Sequence, residues 1–134
     1  ISGIGTGGTI TGVGRALKEV NKDVEIIGVE PEEAPFISKG QKGKHRIQGI
    51  SAGFEPSIID REVIDGFELV TRDDAIETAK NLAAKEGILA GISSGAAVTA
   101  ALRVAKRLGK GQSVVVLLPD TGERYLSTGI FGEA

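Results

Sequence analysis

A glycine-rich loop between a short apolar run and a helix constrains the fold of this chain more than any other feature. The loop is Gly5-Thr6-Gly7-Gly8-Thr9, and residues 1–4 before it are mostly apolar. Glycines have no Cβ, so several backbone N–H groups can point into one concave space. The helix predicted over residues 9–20 would hold an anion at the positive end of its dipole. The segment therefore predicts a phosphate-binding loop that joins a strand to a helix.

The rest of the chain predicts an alternation of strands and helices. Apolar runs predict buried strands at residues 1–4, 25–30, 67–70 and 113–118, and residues 40–56 should be irregular. Spacing predicts that the first helix buries Val13, Ala16, Leu17 and Val20. Further helices are predicted over residues 34–39, from a Thr71–Asp74 capping box to Gly87, and from a cap at Ser93 or Ser94 to about Leu108. This order predicts a single α/β domain over residues 1–134, a Rossmann-like three-layer fold with a mostly parallel sheet.

Composition excludes several classes of function. The chain has 134 residues, a net charge of −2, no cysteine and one histidine. We therefore expect no metal site, no nucleic-acid partner and no membrane partner, since apolar runs are also far shorter than the ~20 residues of a membrane span. There is no methionine, even at position 1, and the loop begins at residue 5. We accordingly expect a chain truncated at the N-terminus and a first strand that is cut short.

Two chemical interpretations of the glycine loop stay open at this point. Gly3, Gly5 and Gly8 match G-x-G-x-x-G, and the acidic Glu30 follows the last of them by 22 residues (30 − 8). This spacing fits a dinucleotide site in which Glu30 binds the ribose. The hydroxyls of Thr6 and Thr9 instead favour a phosphate monoester, and a simple tight turn remains a further alternative.

Three later segments also place small or polar residues where strands or helices begin and end. They are residues 46–54, residues 90–97 with the paired serines, and residues 118–128. Adjacent serines permit one to cap the helix and the other to face a ligand. His45 is interpreted as a solvated loop residue, and Glu123 and Arg124 as surface charges.

Together the four segments resemble the cysteine synthase (O-acetylserine sulfhydrylase) family of fold-type II pyridoxal-phosphate enzymes. The matching stretches are residues 5–9, 47–50, 87–96 and 122–127, in the family's order. The resemblance implies that Gly5, Thr6, Gly7, Gly8 and Thr9 hold the cofactor phosphate, that Gly49 lines the site and that Ser93 gives its hydroxyl to the pyridine nitrogen. Phosphate or sulfate could occupy the same loop. Ser51 stands where many relatives have glycine.

The resemblance also implies what the chain lacks. The family's Schiff-base lysine lies upstream of the phosphate loop, and none of the nine lysines here has its sequence context. We therefore expect no catalytic residue in this chain, which would be the C-terminal, cofactor-phosphate-binding part of a larger enzyme and inactive alone. The parent would make L-cysteine from O-acetylserine and sulfide with pyridoxal 5′-phosphate.

Partners and alternatives follow from the same resemblance. Expected partners are the missing N-terminal half, the small-molecule substrate, a second copy in a homodimer and serine acetyltransferase, in a cytoplasmic enzyme. Three alternatives remain: a fragment of a cystathionine β-synthase-like enzyme, the dinucleotide-binding module using Glu30, and a folded domain without catalysis.

Overall fold

The computed structural model describes residues 1–132 as an α/β fold around a parallel sheet. Its three strands are β1 (Ser2–Gly3), β2 (Ile27–Pro31) and β3 (Gly66–Val70), in the order β1-β2-β3. Both strand pairs are parallel, with Ser2 opposite Gly28 and Ile27 opposite Gly66. The predicted parallel sheet is therefore confirmed.

In the part of the chain that the structure describes, four α-helices and two 3₁₀ helices accompany the sheet. They are α1 (Gly8–Val20), α2 (Phe36–Lys39), α3 (Arg72–Glu86) and α4 (Ile92–Leu108), with 3₁₀ turns at Arg61–Val63 and Gly122–Thr128. The loop over residues 40–56 contains no helix or strand, as predicted.

The sheet separates two hydrophobic cores, which gives the predicted three layers. One core joins the residue after β1 and the residue before β2 to the start of α1 and to α2; its buried members are Ile4, Ile10, Ile26 and Ile37. The other joins β2 and β3 to α3, α4 and the 40–56 loop; its fully buried members include Val29, Ile47, Val70, Ala75, Ala96 and Ala100. Adjacent strand residues point to opposite faces, so an almost wholly apolar strand such as β2 can serve both cores.

Helix α3 follows its sequence signals closely. The Thr71 hydroxyl accepts a hydrogen bond from the Asp74 backbone N–H at 3.1 Å, and Gly87 ends the helix with φ of 69°. Ala75 and Ala79 are fully buried. A Cβ on Gly95 of α4 would collide with the carbonyl oxygen of Ala75. Small residues therefore allow α3 and α4 to pack at short range.

The buried face predicted for α1 is wrong. Val13, Leu17 and Val20 are 46%, 44% and 89% exposed, and Ala16 is exposed as well. The helix instead buries Ile10, Thr11 and Gly14. A Cβ on Gly14 would lie 3.0 Å from a Val63 methyl group, so this face relies on the absence of a side chain for close packing. Hydrophobic periodicity does not detect such a face.

The buried strand predicted at residues 113–118 is also wrong. This segment is extended, but it is held only by bonds from the Ile1 amino group to the Val115 carbonyl (2.7 Å) and from the Leu117 N–H to the Ile1 carbonyl (3.1 Å). Val115 is 80% exposed. Within the described residues, no strand covers the apolar side chains of this segment.

The predicted serine cap of α4 is wrong too. The N-cap is Gly91, with no side-chain hydrogen bond, and Ser93 and Ser94 lie inside the first turn. Both serines are buried. Because neither hydroxyl caps the helix, both can make other contacts.

Candidate functional site

The loop between β1 and α1 presents a row of backbone N–H groups. Within the described chain, none of the six N–H groups from Gly5 to Ile10 donates a hydrogen bond; the first helical bond runs from Thr11 to the carbonyl of Gly7. Gly7 has φ of 83°, a left-handed conformation that glycine adopts without strain. Such a row at a helix N-terminus binds anions, because the N–H groups and the helix dipole have the same polarity.

Gly5 and Gly49 form a tight contact on one side of this loop. A Cβ on Gly5 would lie 2.5 Å from the Gly49 carbonyl oxygen, far inside van der Waals contact. Gly49 itself has φ of 92°. The structure therefore requires glycine at both positions for two backbones that are far apart in sequence to meet.

Ser93 lies beyond Gly49. A Cβ on Gly49 would be 3.8 Å from the Ser93 hydroxyl oxygen, and Ser93 is only 4% exposed. Across residues 1–132 the Ser93 hydroxyl has no hydrogen-bond partner. The structure thus brings Gly5, Gly49 and Ser93 together, as the family resemblance implied, and leaves the hydroxyl of the largely buried Ser93 available to a ligand.

A second segment supports the loop from the other side. A Cβ on Gly7 would lie 2.9 Å from Ile59, and one on Gly8 would lie 3.4 Å from Ile58. The next residue, Asp60, accepts two hydrogen bonds from the Arg15 guanidinium, at 2.7 and 2.9 Å, which lower the pKa of its carboxyl. This ion pair joins the supporting segment to α1.

The start of α4 carries a network that the sequence did not reveal. Asp120 accepts hydrogen bonds from the Ser94 hydroxyl (3.2 Å) and from the Tyr125 hydroxyl (2.9 Å). A Cβ on Gly91 would collide with the Asp120 carboxylate. Burial and then the bond to Asp120 raise the pKa of Tyr125 to about 12. Only the clustering of polar residues after residue 118 hinted at this arrangement.

Glu30 cannot serve as the ribose ligand of a dinucleotide site. It is fully buried, and its two carboxylate oxygens accept hydrogen bonds from the backbone N–H groups of Ile37 (2.6 Å) and Ser38 (2.9 Å). The carboxylate therefore stabilises the start of α2, and the dinucleotide interpretation loses its acidic residue.

Of the remaining residues singled out from the sequence, four are exposed and one is half-buried. Thr6 and Thr9 are exposed on the glycine loop, and Glu123 and Arg124 are exposed as predicted. His45 is half-buried rather than solvated: its Nε2 is 3.0 Å from the Ser51 carbonyl. Among the described residues, no lysine atom lies within 4 Å of a Cβ built on Gly5, Gly8 or Gly49.

The described residues contain neither a metal-binding cluster nor a membrane-spanning helix. In residues 1–132 there is no cluster of three or more histidine or acidic side chains that could hold a metal ion. Nor does that part of the chain contain a helix with the length and apolarity needed to span a membrane.

Comparison with known proteins assigns the family. The family model described as "Pyridoxal-phosphate dependent enzyme" matches residues 1–120. This chain belongs to that family. A cysteine synthase of Staphylococcus aureus is 50% identical over 131 residues, which are 98% of this chain and 42% of the relative. The chain thus spans about two fifths of the length of the curated relatives it matches.

Solved structures of this family share the fold. A cysteine synthase from Entamoeba histolytica superposes with a TM-score of 0.94 at 42% identity, covering 98% of this chain and 39% of that one. An O-acetylserine dependent cystathionine beta-synthase from Helicobacter pylori gives 0.88 at 41% identity, covering 98% and 44%. The α/β fold and the dependence of this family on pyridoxal phosphate are therefore established.

The residues present fit pyridoxal phosphate. Six unpaired N–H groups suit a phosphate with several acceptor oxygens, and the helix dipole favours its negative charge. The contact between Gly5 and Gly49 leaves no side chain at that side of the loop, and the free Ser93 hydroxyl provides one further polar group. These residues thus offer a group of N–H donors that can bind an anion and, beside Gly49, one neutral hydroxyl donor.

Proposed function

We propose that this chain holds pyridoxal phosphate in an enzyme that replaces the β-acetoxy group of O-acetylserine with sulfide to form L-cysteine. The observation that carries the proposal is the row of six unpaired N–H groups from Gly5 to Ile10, next to Gly49 and Ser93. The similarity to cysteine synthases supports the reaction, and the remainder of the enzyme would supply the Schiff-base lysine.

Each site residue has a distinct proposed role. The backbone N–H groups of Gly5, Thr6, Gly7, Gly8 and Thr9 bind the phosphate, and the threonine hydroxyls add donors at its exposed side. Gly49 lines the site with its backbone. The Ser93 hydroxyl donates to the pyridine nitrogen, and because it is neutral it leaves that nitrogen largely unprotonated. Bound pyridoxal phosphate would supply an electron-withdrawing ring. A neutral donor at the ring nitrogen keeps the electron-withdrawing strength of the ring moderate, which suits β-replacement.

The chain by itself should bind the cofactor weakly and not turn over. Among the described residues no lysine atom lies within 4 Å of a Cβ built on Gly5, Gly8 or Gly49, and the chain alone should therefore have neither a covalent anchor nor a base for the substrate's α-proton. In the complete enzyme we propose a homodimer in the cytoplasm, with serine acetyltransferase as a further partner.

A direct test measures binding and turnover separately. Titration calorimetry on the full-length protein that contains this chain should give micromolar or tighter affinity for pyridoxal phosphate. O-acetylserine and sulfide should then yield cysteine, whereas the 134-residue chain should yield none. Ser93→Ala should weaken binding of pyridoxal phosphate by about tenfold, the loss of one good hydrogen bond, while the exposed Ser127→Ala should not. Robust turnover by the 134-residue chain would refute its proposed inactivity.

A cystathionine-forming enzyme is the second candidate, because the Helicobacter pylori structure is similar over 98% of this chain. The site described here binds the cofactor and does not discriminate the nucleophile. Supplying homocysteine in place of sulfide, and comparing kcat/KM for the two, decides between these reactions. A higher value with homocysteine would replace the cysteine-forming proposal.

A further inference from the structure

Ser51 has an unusual backbone conformation. Its φ is 53°, and among residues 1–132 it is the one non-glycine residue with positive φ. A residue with a Cβ is strained in this left-handed region. Such a conformation persists only where the surrounding structure fixes it, and it often accompanies a functional requirement.

Three hydrogen bonds fix Ser51 to three separate parts of the chain. Its N–H donates to the Ile4 carbonyl at 2.8 Å, and its hydroxyl donates to the Ala34 carbonyl at 2.8 Å. Its own carbonyl lies 3.0 Å from His45 Nε2, which donates to it. Ser51 is 9% exposed, so these bonds are largely shielded from water. They join the end of β1, the segment after β2 and the long loop.

The position of these bonds connects them to the candidate site. Ile4 directly precedes Gly5, and Gly49 lies two residues before Ser51. The bond from Ser51 to Ile4 therefore lies beside the contact between the Gly49 carbonyl and Gly5. Fixing Ser51 restricts where the Gly49 backbone can lie relative to both Gly5 and Ser93.

We propose that Ser51 is a positioning residue that holds the Gly49 backbone in place and thereby tightens binding of the cofactor ring. The inference rests on the proposed function, since it takes pyridoxal phosphate as the ligand. The Gly5–Ile10 N–H groups bind phosphate without help from Gly49, whereas the ring would extend past Gly49 towards Ser93. Ser51 should consequently influence affinity for the ring more than affinity for phosphate.

The test compares two ligands on the full-length apoprotein that contains this chain. Pyridoxine 5′-phosphate carries the ring and the phosphate but no aldehyde, so it cannot react with a lysine, and inorganic phosphate is the second probe. Ser51→Ala removes the hydroxyl and keeps the strained backbone. We expect it to raise the Kd for pyridoxine phosphate about fivefold to tenfold, the effect of one lost hydrogen bond. The Kd for inorganic phosphate should stay within about twofold.

Two further variants make the test specific. Ser51→Gly removes the same hydroxyl but relieves the backbone strain, and it should raise the Kd for pyridoxine phosphate by about twofold to threefold. If Ser51→Ala does not fold, Ser51→Gly decides the question. Ser57→Ala, at an exposed serine of the neighbouring loop, is the control and should change neither Kd.

The possible outcomes are distinct. An unchanged Kd for pyridoxine phosphate in the deciding variant overturns the positioning role. An equal weakening of both ligands also overturns it, because that result indicates general destabilisation. If the unsubstituted protein binds neither ligand, or only inorganic phosphate, the proposed function itself fails and the role of Ser51 fails with it.

Discussion

The N-termini of helices α1 and α4 have similar caps but different surroundings. Each has a glycine N-cap, Gly7 or Gly91, without a side-chain hydrogen bond, and neither has an acidic residue in its first turn. At α4, however, the Asp120 carboxylate packs against Gly91 and accepts bonds from Ser94 and Tyr125. At α1 none of the N–H groups from Gly5 to Ile10 donates a hydrogen bond to a carboxylate of the described residues.

This difference distinguishes a helix end that has a carboxylate of the same chain beside it from one that is open to an external anion. The positive end of a helix favours a negative group nearby. In α4 a residue of the same chain provides that group, which leaves the helix start as structure. In α1 the requirement is unmet, so an external anion can meet it. Asp120, which is remote in sequence from both Gly7 and Gly91, accounts for the difference between the two helix ends.

The largest effect is expected at the N-terminus of α1, the open end, whose N–H groups have no hydrogen-bond partner in the described chain. Gly5→Ala places a Cβ at 2.5 Å from the Gly49 carbonyl oxygen, so one backbone must shift out of position. We expect the affinity for pyridoxal phosphate to fall by about 100-fold or more, since displacement affects several hydrogen bonds at once. Calorimetry on the full-length protein measures it. Gly12→Ala, on α1 with no atom within 4 Å, is the matched control and should leave affinity unchanged.

At the N-terminus of α4, the filled end, removing the Asp120 carboxylate should change the stability of the protein instead of its affinity for the cofactor. Asp120→Ala leaves the Tyr125 and Ser94 hydroxyls without their acceptor, and we expect a loss of about 1–3 kcal/mol in the free energy of unfolding. Urea denaturation measures this loss. Asp73→Ala, at a carboxylate whose side chain is 96% exposed in the first turn of α3, should cost at most about 0.5 kcal/mol. An Asp120→Ala variant as stable as the Asp73→Ala variant would contradict the assigned structural role.

The pH dependence of stability provides a second test of the N-terminus of α4. Burial and the bond to Asp120 raise the pKa of Tyr125 from 10.0 to about 12, so the folded state retains the phenolic proton more strongly than the unfolded state. The resulting stabilisation is complete below pH 10 and is lost as the pH rises from about 10 to about 12. Tyr125→Phe lacks this titration.

Stability should therefore fall more steeply between these pH values in the unsubstituted protein than in Tyr125→Phe. All other side chains are the same in both proteins, so their contributions cancel in the difference. Parallel unfolding curves against pH would show that Tyr125 does not titrate differently in the folded state.

The comparison also indicates what the sequence could reveal. Local rules predicted α3 correctly, because Thr71, Asp74 and Gly87 each act within one helical turn. The family resemblance predicted that Gly5, Gly49 and Ser93 form one site, and the structure brings them together, although their binding role remains to be tested.

Features set by distant contacts could not be predicted in this way. The buried face of α1 depends on Gly14 meeting Val63, and a glycine contributes nothing to a hydrophobic pattern. Residues 113–118 have the composition of a buried strand, yet burial depends on neighbouring strands that composition does not specify. The network of Asp120 likewise requires residues from 94 to 125 to meet in space.

The smallest expected effect separates the two adjacent serines. Ser94→Ala removes a 3.2 Å hydrogen bond to Asp120, and we expect a cost of about 0.5–1 kcal/mol in the free energy of unfolding, with no change in affinity for pyridoxal phosphate. In an Asp120→Ala background the same substitution should cost close to nothing, since the acceptor is already absent; a double-mutant cycle by urea denaturation measures this coupling. Equal costs in both backgrounds would show that Ser94 stabilises α4 independently of Asp120. A loss of cofactor affinity in Ser94→Ala would place both serines at the ligand and remove the distinction between the filled and the open helix end.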